Sequence, residues 1–266
     1  MLQNYKINLN SQYSVRFIRF ACKEFSIISY LCTVEWNIVH IDETTSTNQW
    51  LKEHGEGDMV VVADYQTAGR GCGTNTWESE RGKNLLFSVL LHPVEIPARE
   101  QFRISMAVSV ALCEMLSQYA GDFSIKWPND IYWRDCKICG MLIENRVSGQ
   151  LLAESIVGIG LNVNQRKFHS DAPNPVSLCQ IVGREMDCDS LLTDFLRRLE
   201  AVSRYELLRS DYESKLFRRE RLTEYADKTG VFQASLKGVK PDGRLLLRDG
   251  EGCDRLYAFK EVQFII

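Results

Sequence analysis

Four short stretches of this sequence combine residue types that could do chemistry. Gly69-Arg70-Gly71-Cys72-Gly73-Thr74-Asn75-Thr76-Trp77 alternates glycines around a single arginine. Such glycines let the backbone bend and aim N–H groups at an anion, while the guanidinium adds a planar cationic fork. No Gly-Lys-Ser/Thr follows, so this is not a Walker A loop, and it does not fit G-x-G-x-x-G ahead of a helix. Lys126-Trp127-Pro128-Asn129-Asp130 sets an ammonium, an indole, an amide and a carboxylate around a proline. Proline restricts itself and the residue before it, so these polar groups are aimed. The plainer alternative is a strand-ending turn in which Asn129 and Asp130 bond their own backbone. Lys137 begins an otherwise apolar strand in which Gly140 permits close backbone approach, although a strand-end lysine is often a solvated edge charge. Gly158-Ile159-Gly160-Leu161-Asn162 marks a strand running tight against a ligand or another strand.

What is missing narrows the chemistry. The four histidines (His40, His54, His92, His169) show no paired metal spacing, and no G-x-S-x-G elbow accompanies them. A zinc enzyme and a Ser-His-Asp hydrolase are both disfavoured. Cations, glycine loops and positioned amides remain. That inventory suits binding anions and transferring phosphoryl-type groups without a covalent enzyme intermediate.

The elements that must carry these residues can be read from periodicity. Ile38–Ile41 is a short strand, and Ser46 with Gln49 forms a capping box for a helix running to about His54. Met59–Ala63 and Leu85–Leu91 are continuous apolar runs, as in buried strands. A long apolar helix spans Phe102–Tyr119, closed by Gly121. Ser124–Lys126, Ile131–Trp133, Ile138–Glu144 and Leu151–Asn162 read as strands, and Asp189 caps a helix carrying Leu192, Phe195, Leu199 and Val202. From Thr223 short strands alternate with Pro241-Asp242-Gly243 and Asp249-Gly250 turns, a small antiparallel β module. Strands in runs, without strict β-α-β alternation, favour an α+β fold with a mixed sheet over a Rossmann fold. The expected division is 1–34 as an extension, 35–220 as the catalytic-sized domain and 221–266 as the small β domain.

Composition bounds the function. With 266 residues, 45% apolar and 25% charged, the chain is neither disordered nor a disulfide miniprotein. A net charge of −3 argues against nucleic acid as the main partner, and no uninterrupted run of apolar residues is long enough to span a membrane. Nine scattered cysteines suit reduced thiols in the cytoplasm, with Cys136-x-x-Cys139 a lone pair lacking a zinc-finger mate. Residues 1–34 are basic and acid-poor but too broken by charge for a signal peptide. They are also too short for a DNA-binding domain, since domains seldom fall below about 50 residues.

Taken in order, Thr45-Ser46-Thr47-Asn48, Gln66-Thr67-Ala68-Gly69-Arg70-Gly71 with Trp77, Lys126-Trp127-Pro128-Asn129-Asp130, Lys137-x-x-Gly140 and Gly158-x-Gly160-x-Asn162 resemble biotin–protein ligase. The resemblance runs from about Ile38 to the C-terminus. It implies a class II aminoacyl-tRNA synthetase-like catalytic domain with a C-terminal SH3-like β-barrel. It also implies that ATP and Mg²⁺ activate biotin as biotinyl-5′-AMP, which then passes to a lysine of a carboxylase's biotin carboxyl carrier domain. By the same resemblance Arg70, Lys126 and Lys137 are catalytic. Ser46, Thr47, Asn48, Gln66, Gly69, Arg70, Gly71, Cys72, Lys137, Gly140, Gly158 and Gly160 hold biotin, with Ser46 to Asn48 and Gln66 on its head group. Trp77, Asn129, Asp130 and Asn162 hold the nucleotide, Trp77 against the adenine, and Asp130 takes the metal. The implied partner is the carrier, with a homodimer allowed and neither nucleic acid nor membrane involved.

One departure stands out. The family loop often reads G-R-G-R-R-G-R-x-W, whereas here Cys72, Gly73, Thr74 and Asn75 precede Thr76-Trp77. The missing cations predict a looser grip on biotinyl-AMP unless Arg81 or Lys83 substitutes. Two other activities compete. A lipoate–protein ligase or octanoyltransferase would lack the K-W-P-N-D run, and a biotin-responsive repressor would need a DNA-binding domain. A catalytically dead biotin binder is argued against by the presence of both Arg70 and Lys137.

Overall fold

The computed structural model describes residues 36–93, 95–169, 174–202 and 205–266, so the reading of 1–34 lies outside the described residues. β-branched and leucine-rich runs build a seven-stranded sheet from β1 (Asn37–Thr44), β2 (Met59–Gln66), β3 (Leu85–Leu91), β4 (Phe123–Lys126), β5 (Asp130–Trp133), β6 (Cys136–Ser148) and β7 (Leu151–Leu161). Its order is β1-β2-β3-β7-β6-β5-β4. β1 and β2 are parallel, joined by α1 (Thr47–His54), because parallel neighbours need a crossover; the other pairs are antiparallel. The sheet is therefore mixed, as the strand runs predicted.

The continuous apolar run in β2 has a simple cause. Val60 and Val62 join the large core, while Met59, Val61 and Ala63 pack on Leu51 of α1 across the opposite face. A strand covered on both faces needs apolar residues at every position. The large core is completed by α2 (Phe102–Leu116), with α4 (Cys188–Ala201) and α5 (Tyr205–Ser214) packed against it. α5 and the short α3 (Leu178–Val182) were not legible in the sequence.

Several boundaries differ from expectation. Ser46 is the N-cap residue of α1, but its side chain makes no capping bond and Gln49 donates to Glu53 instead, so there is no capping box. α2 stops at Leu116, where Ser117 bonds back to the Cys113 carbonyl, well before Gly121. Asp187, not Asp189, caps α4 by accepting from the Ser190 N–H at 3.0 Å. β6 runs on to Ser148 because β7 pairs with it along its whole length, from Cys139↔Leu161 to Ser148↔Leu151.

The C-terminal strands β8 (Leu222–Asp227), β9 (Gly230–Val239), β10 (Leu245–Asp249), β11 (Asp254–Tyr257) and β12 (Val262–Phe264) form an antiparallel sheet in the order β11-β10-β9-β8-β12. Among the described residues β11 and β12 do not pair, so the expected barrel is an open five-stranded sheet. Its buried Tyr225, Leu236, Leu245 and Leu247 belong to the same core as the large sheet. A unit this small buries too little surface alone, which explains the shared core. The Trp127 indole N–H donates to the Gly243 carbonyl at 2.9 Å, and Ile125 exchanges backbone bonds with Lys215 and Phe217. The first bond ties the β9–β10 turn to the residue after β4, and the other two anchor the segment that leads into β8.

Candidate functional site

The motif residues converge on one cavity of about 540 Å³, within the size range of small-molecule sites. At one end the start of α1 faces the end of β2. The Gln66 side-chain oxygen accepts from the Thr47 N–H at 2.8 Å and from its hydroxyl at 3.1 Å, which turns the Gln66 NH₂ outward as a donor. The Ser88 hydroxyl, buried in β3, lies 2.7 Å from Thr47 Oγ1 and 2.6 Å from Asn48 Oδ1, its one proton directed to either. Asn48 in turn donates to the Leu142 carbonyl and to Glu144. Ser46 is buried and lines the cavity without a capping bond, so its hydroxyl is free for a ligand. Thr47, Asn48 and Gln66 are each held by a second side chain.

Glu144 is the hub behind that corner. Its carboxylate takes Lys52 at 2.7 Å, Asn48 at 2.8 Å and Arg70 at 3.0 Å. Burial works against the charge, but hydrogen bonds from Lys52 and Asn48 and the Arg70 guanidinium hold it below the usual carboxylate range. Arg70 is thus aimed by an anion at the cavity wall. The glycine loop itself closes as a narrow hairpin: Gly71 N–H donates to the Asn75 carbonyl, Trp77 N–H to the Gly69 carbonyl, and Arg70 bridges Thr76. Gly69 sits beneath that closure and does not line the cavity.

The floor is made by paired glycines. Gly140 of β6 lies opposite Gly160 of β7, and the Trp77 indole rests on both. A Cβ at Gly140 would stand 2.8 Å from the ring, and one at Gly160 would stand 2.6 Å from its Nε1. Among the described residues that buried indole N–H has no hydrogen-bond partner, and the Lys137 ammonium lies 5.7 Å from the ring centroid. Gly158 admits the Asn48 carboxamide in the same way. The glycine pattern of β7 therefore answers to side chains from α1 and the loop.

In the same lining Lys137 and Asp130 form an ion pair at 2.7 Å, without hydrogen-bond geometry at Asp130 Oδ1. Asn129 donates to the Met141 carbonyl at 2.7 Å and to the Cys72 thiol at 3.1 Å, so both its donors pin the glycine loop to β6. Burial, then Asp130, pushes the Cys72 thiol up, with Lys137 and Lys260 opposing. Lys126 is set between the Tyr132 ring at 5.3 Å and the Phe264 ring at 5.1 Å. Burial pulls its amine below the ordinary lysine value, Asp130 opposes and Lys137 adds to the fall.

That depression has a measurable sign. The unfolded chain holds the Lys126 proton more tightly than the folded one, so folding gains stability as pH rises between the folded and unfolded pKa values. Lys126→Met is expected to abolish that gain and to raise stability at pH 7 by about 1 kcal/mol. Urea denaturation at neutral and alkaline pH measures both, and a less stable variant at pH 7 would contradict this account.

Asn162 is not brought to the cavity. It donates to the Val176 carbonyl at 3.2 Å and ties the end of β7 to the segment before α3, which explains its burial without a ligand. Arg81 pairs with Glu43 and stacks on Tyr65, and Lys83 lies 3.8 Å from Glu185, so neither reaches the glycine loop. The sequence reading missed Phe259, Lys260, Gln263 and Phe264, which the C-terminal sheet adds to the lining. No motif marks them, because their place comes only from how the two sheets meet. Among the described residues no cluster of three or more His, Cys, Asp or Glu forms a metal site, and Cys136 and Cys139 are free. No described helix is long and apolar enough to cross a membrane.

Residues 38–162 match the model of the biotin/lipoate A/B protein ligase family. The chain is 30% identical over 244 residues to the bifunctional ligase/repressor BirA of Bacillus subtilis, an alignment covering 84% of this chain and 72% of that protein. It is 28% identical to the biotin–[acetyl-CoA-carboxylase] ligase of Paracoccus denitrificans, covering 94% of that protein. The biotin protein ligase of Aquifex aeolicus, solved in complex with biotin and ATP, superposes with a TM-score of 0.71 at 28% identity, covering 86% of this chain and 99% of the other.

Proposed function

This chain belongs to the biotin/lipoate A/B protein ligase family, and from that premise we propose how its cavity performs biotin activation and transfer. It is an ATP-dependent ligase that joins biotin to AMP and hands the biotinyl group to a carboxylase's biotin carrier domain. One observation carries the assignment of residues. The Thr47–Gln66–Asn48 network, beside Gly158, and the Lys137–Asp130 pair, beside Gly140, line one cavity.

The polar corner suits the ureido ring of biotin, which offers both N–H donors and a carbonyl acceptor. Ser46, Thr47 and Gln66 present hydroxyls and an outward NH₂ there, and the glycines with the Trp77 indole form an apolar slot for the rest of the molecule. Trp77 therefore serves the biotin slot in this reading, in place of the adenine contact expected from the motif. Arg70 and Lys137 hold the carboxylate. Two anions meet in the first step, since a biotin carboxylate oxygen attacks the α-phosphorus of ATP and pyrophosphate leaves. Fixed cations in a partly closed site lower the cost of that approach. In the second step the amine of the carrier lysine attacks the acyl carbon, and AMP leaves with the bonding electrons.

A bound Mg²⁺ would neutralise the phosphates of the nucleotide, and Asp130 would hold it. Magnesium is usually held by one or two carboxylates plus substrate phosphates, and among the described residues Asp130 is the one carboxylate lining the cavity, with Oδ1 buried and free of hydrogen bonds. Asp130 fits the role and must exchange Lys137 for it. Asn129 acts by holding the loop against β6.

Incubation with ATP, Mg²⁺, biotin and a purified carrier domain, followed by intact mass, is expected to show one biotinyl group per carrier. Lipoate transfer without biotin transfer would overturn the assignment.

A further inference from the structure

The glycine loop carries one cation, Arg70, and Glu144 already holds it at 3.0 Å. The positive charge that faces the rest of the loop comes from the far end of the chain. Lys260 lies in the turn between β11 and β12 with a left-handed backbone, φ 69°. Its ammonium rests on the bare Cα of Gly73, which is itself left-handed at φ 73°. A Cβ built on Gly73 would collide with Lys260 Nζ, and Lys260 Cε stands 3.2 Å from that point. A side chain at Gly73 would thus displace the ammonium from this position.

A left-handed lysine is costly and persists only where its surroundings hold it. Here Glu261 N–H donates to the Ala258 carbonyl at 3.1 Å, and Ala258 N–H donates to the Glu261 carboxylate at 2.7 Å. Lys260 also lines the cavity. Among its cations Arg70 is paired with Glu144 and Lys137 with Asp130, Lys126 lies between two rings, and Lys260 lies 5.8 Å from the centroid of the Phe259 ring, which leaves its N–H donors unspent. No carboxylate among the described residues pairs with Lys260. An ammonium placed so, with three donors on a flexible stem, is available to an anion entering over the loop.

We infer that Lys260 holds the phosphate side of the nucleotide, and later of biotinyl-AMP, over the glycine loop. The C-terminal sheet then retains the activated intermediate in a chain whose loop lacks the usual arginines. This rests on the ligase reading given above.

Lys260→Gly is the informative variant, because glycine tolerates φ 69° and the turn survives the change. Biotin affinity without nucleotide is expected to stay within about twofold. The KM for ATP and the rate of biotinyl-AMP release to solvent are each expected to rise about tenfold, as when one charge-assisted hydrogen bond is lost. Lys260→Arg is expected to retain the intermediate, and Asn75→Arg is expected to restore retention in the Lys260→Gly background. Unchanged release from Lys260→Gly overturns the inference while leaving the ligase assignment standing. Absence of biotinyl-AMP from the wild type overturns both.

Discussion

Lys137→Ala is expected to slow biotinyl-AMP formation by about 10²–10³-fold, the range seen when one preorganised charge-stabilising donor is removed. In the proposed function Lys137 serves the junction of carboxylate and α-phosphate, and its ammonium is restrained by Asp130 at 2.7 Å and by the Trp77 ring. Removing it also leaves the Asp130 carboxylate without its cation in a site where that side chain is only 14% exposed. A weakened fold would also lower activity. Urea denaturation of Lys137→Ala separates the two: the variant is expected to stay folded under assay conditions while pyrophosphate release is slow. Rapid-quench measurement of that release is the check, and a rate within threefold of wild type would remove Lys137 from the chemistry.

Gly158→Ala is the second large effect. The added methyl would fall on the Asn48 carboxamide, 3.0 Å from Cγ and 3.2 Å from Nδ2. Asn48 cannot swing aside freely, because the Ser88 hydroxyl lies 2.6 Å from its Oδ1 while it donates to the Leu142 carbonyl and Glu144. Shifting it breaks the Asn48–Ser88 contact and loosens the carboxylate that aims Arg70. The expected cost is about 1–3 kcal/mol of stability from overpacking and broken buried hydrogen bonds. Biotin affinity is expected to fall at least about tenfold, since each 1.4 kcal/mol is a factor of ten. Calorimetric titration with biotin and a thermal melt measure these separately. Wild-type affinity in a folded variant would show that the Asn48 network does not shape the site.

What could be read from the sequence follows physical scale. Continuous apolar runs such as Met59–Ala63 announce strands covered on both faces, and the mixed sheet follows from strands arriving in runs. The motif residues were legible because their chemistry is local: Lys126 to Asp130 needs one proline-bearing turn, and Gly158 and Gly160 need only a strand. Helix limits were less legible. Ser46 looks like a capping residue by type, yet its hydroxyl stays free in the cavity wall, and Gln49 turns to Glu53. Competition between a local bond and a tertiary one cannot be resolved from residue type alone.

The sequence by itself determined the family, the cations at Arg70, Lys126 and Lys137, and the glycine positions, because those depend on residue identity along short segments. Only the tertiary structure decided which groups meet. It placed Glu144 behind Arg70, laid Trp77 on Gly140 and Gly160, turned Arg81 and Lys83 away, and took Asn162 out of the cavity. It also carried Lys260 from the C-terminal sheet onto Gly73, across 187 positions of chain. Such contacts arise from the docking of one sheet on another through a shared core, and no periodicity or spacing records that docking.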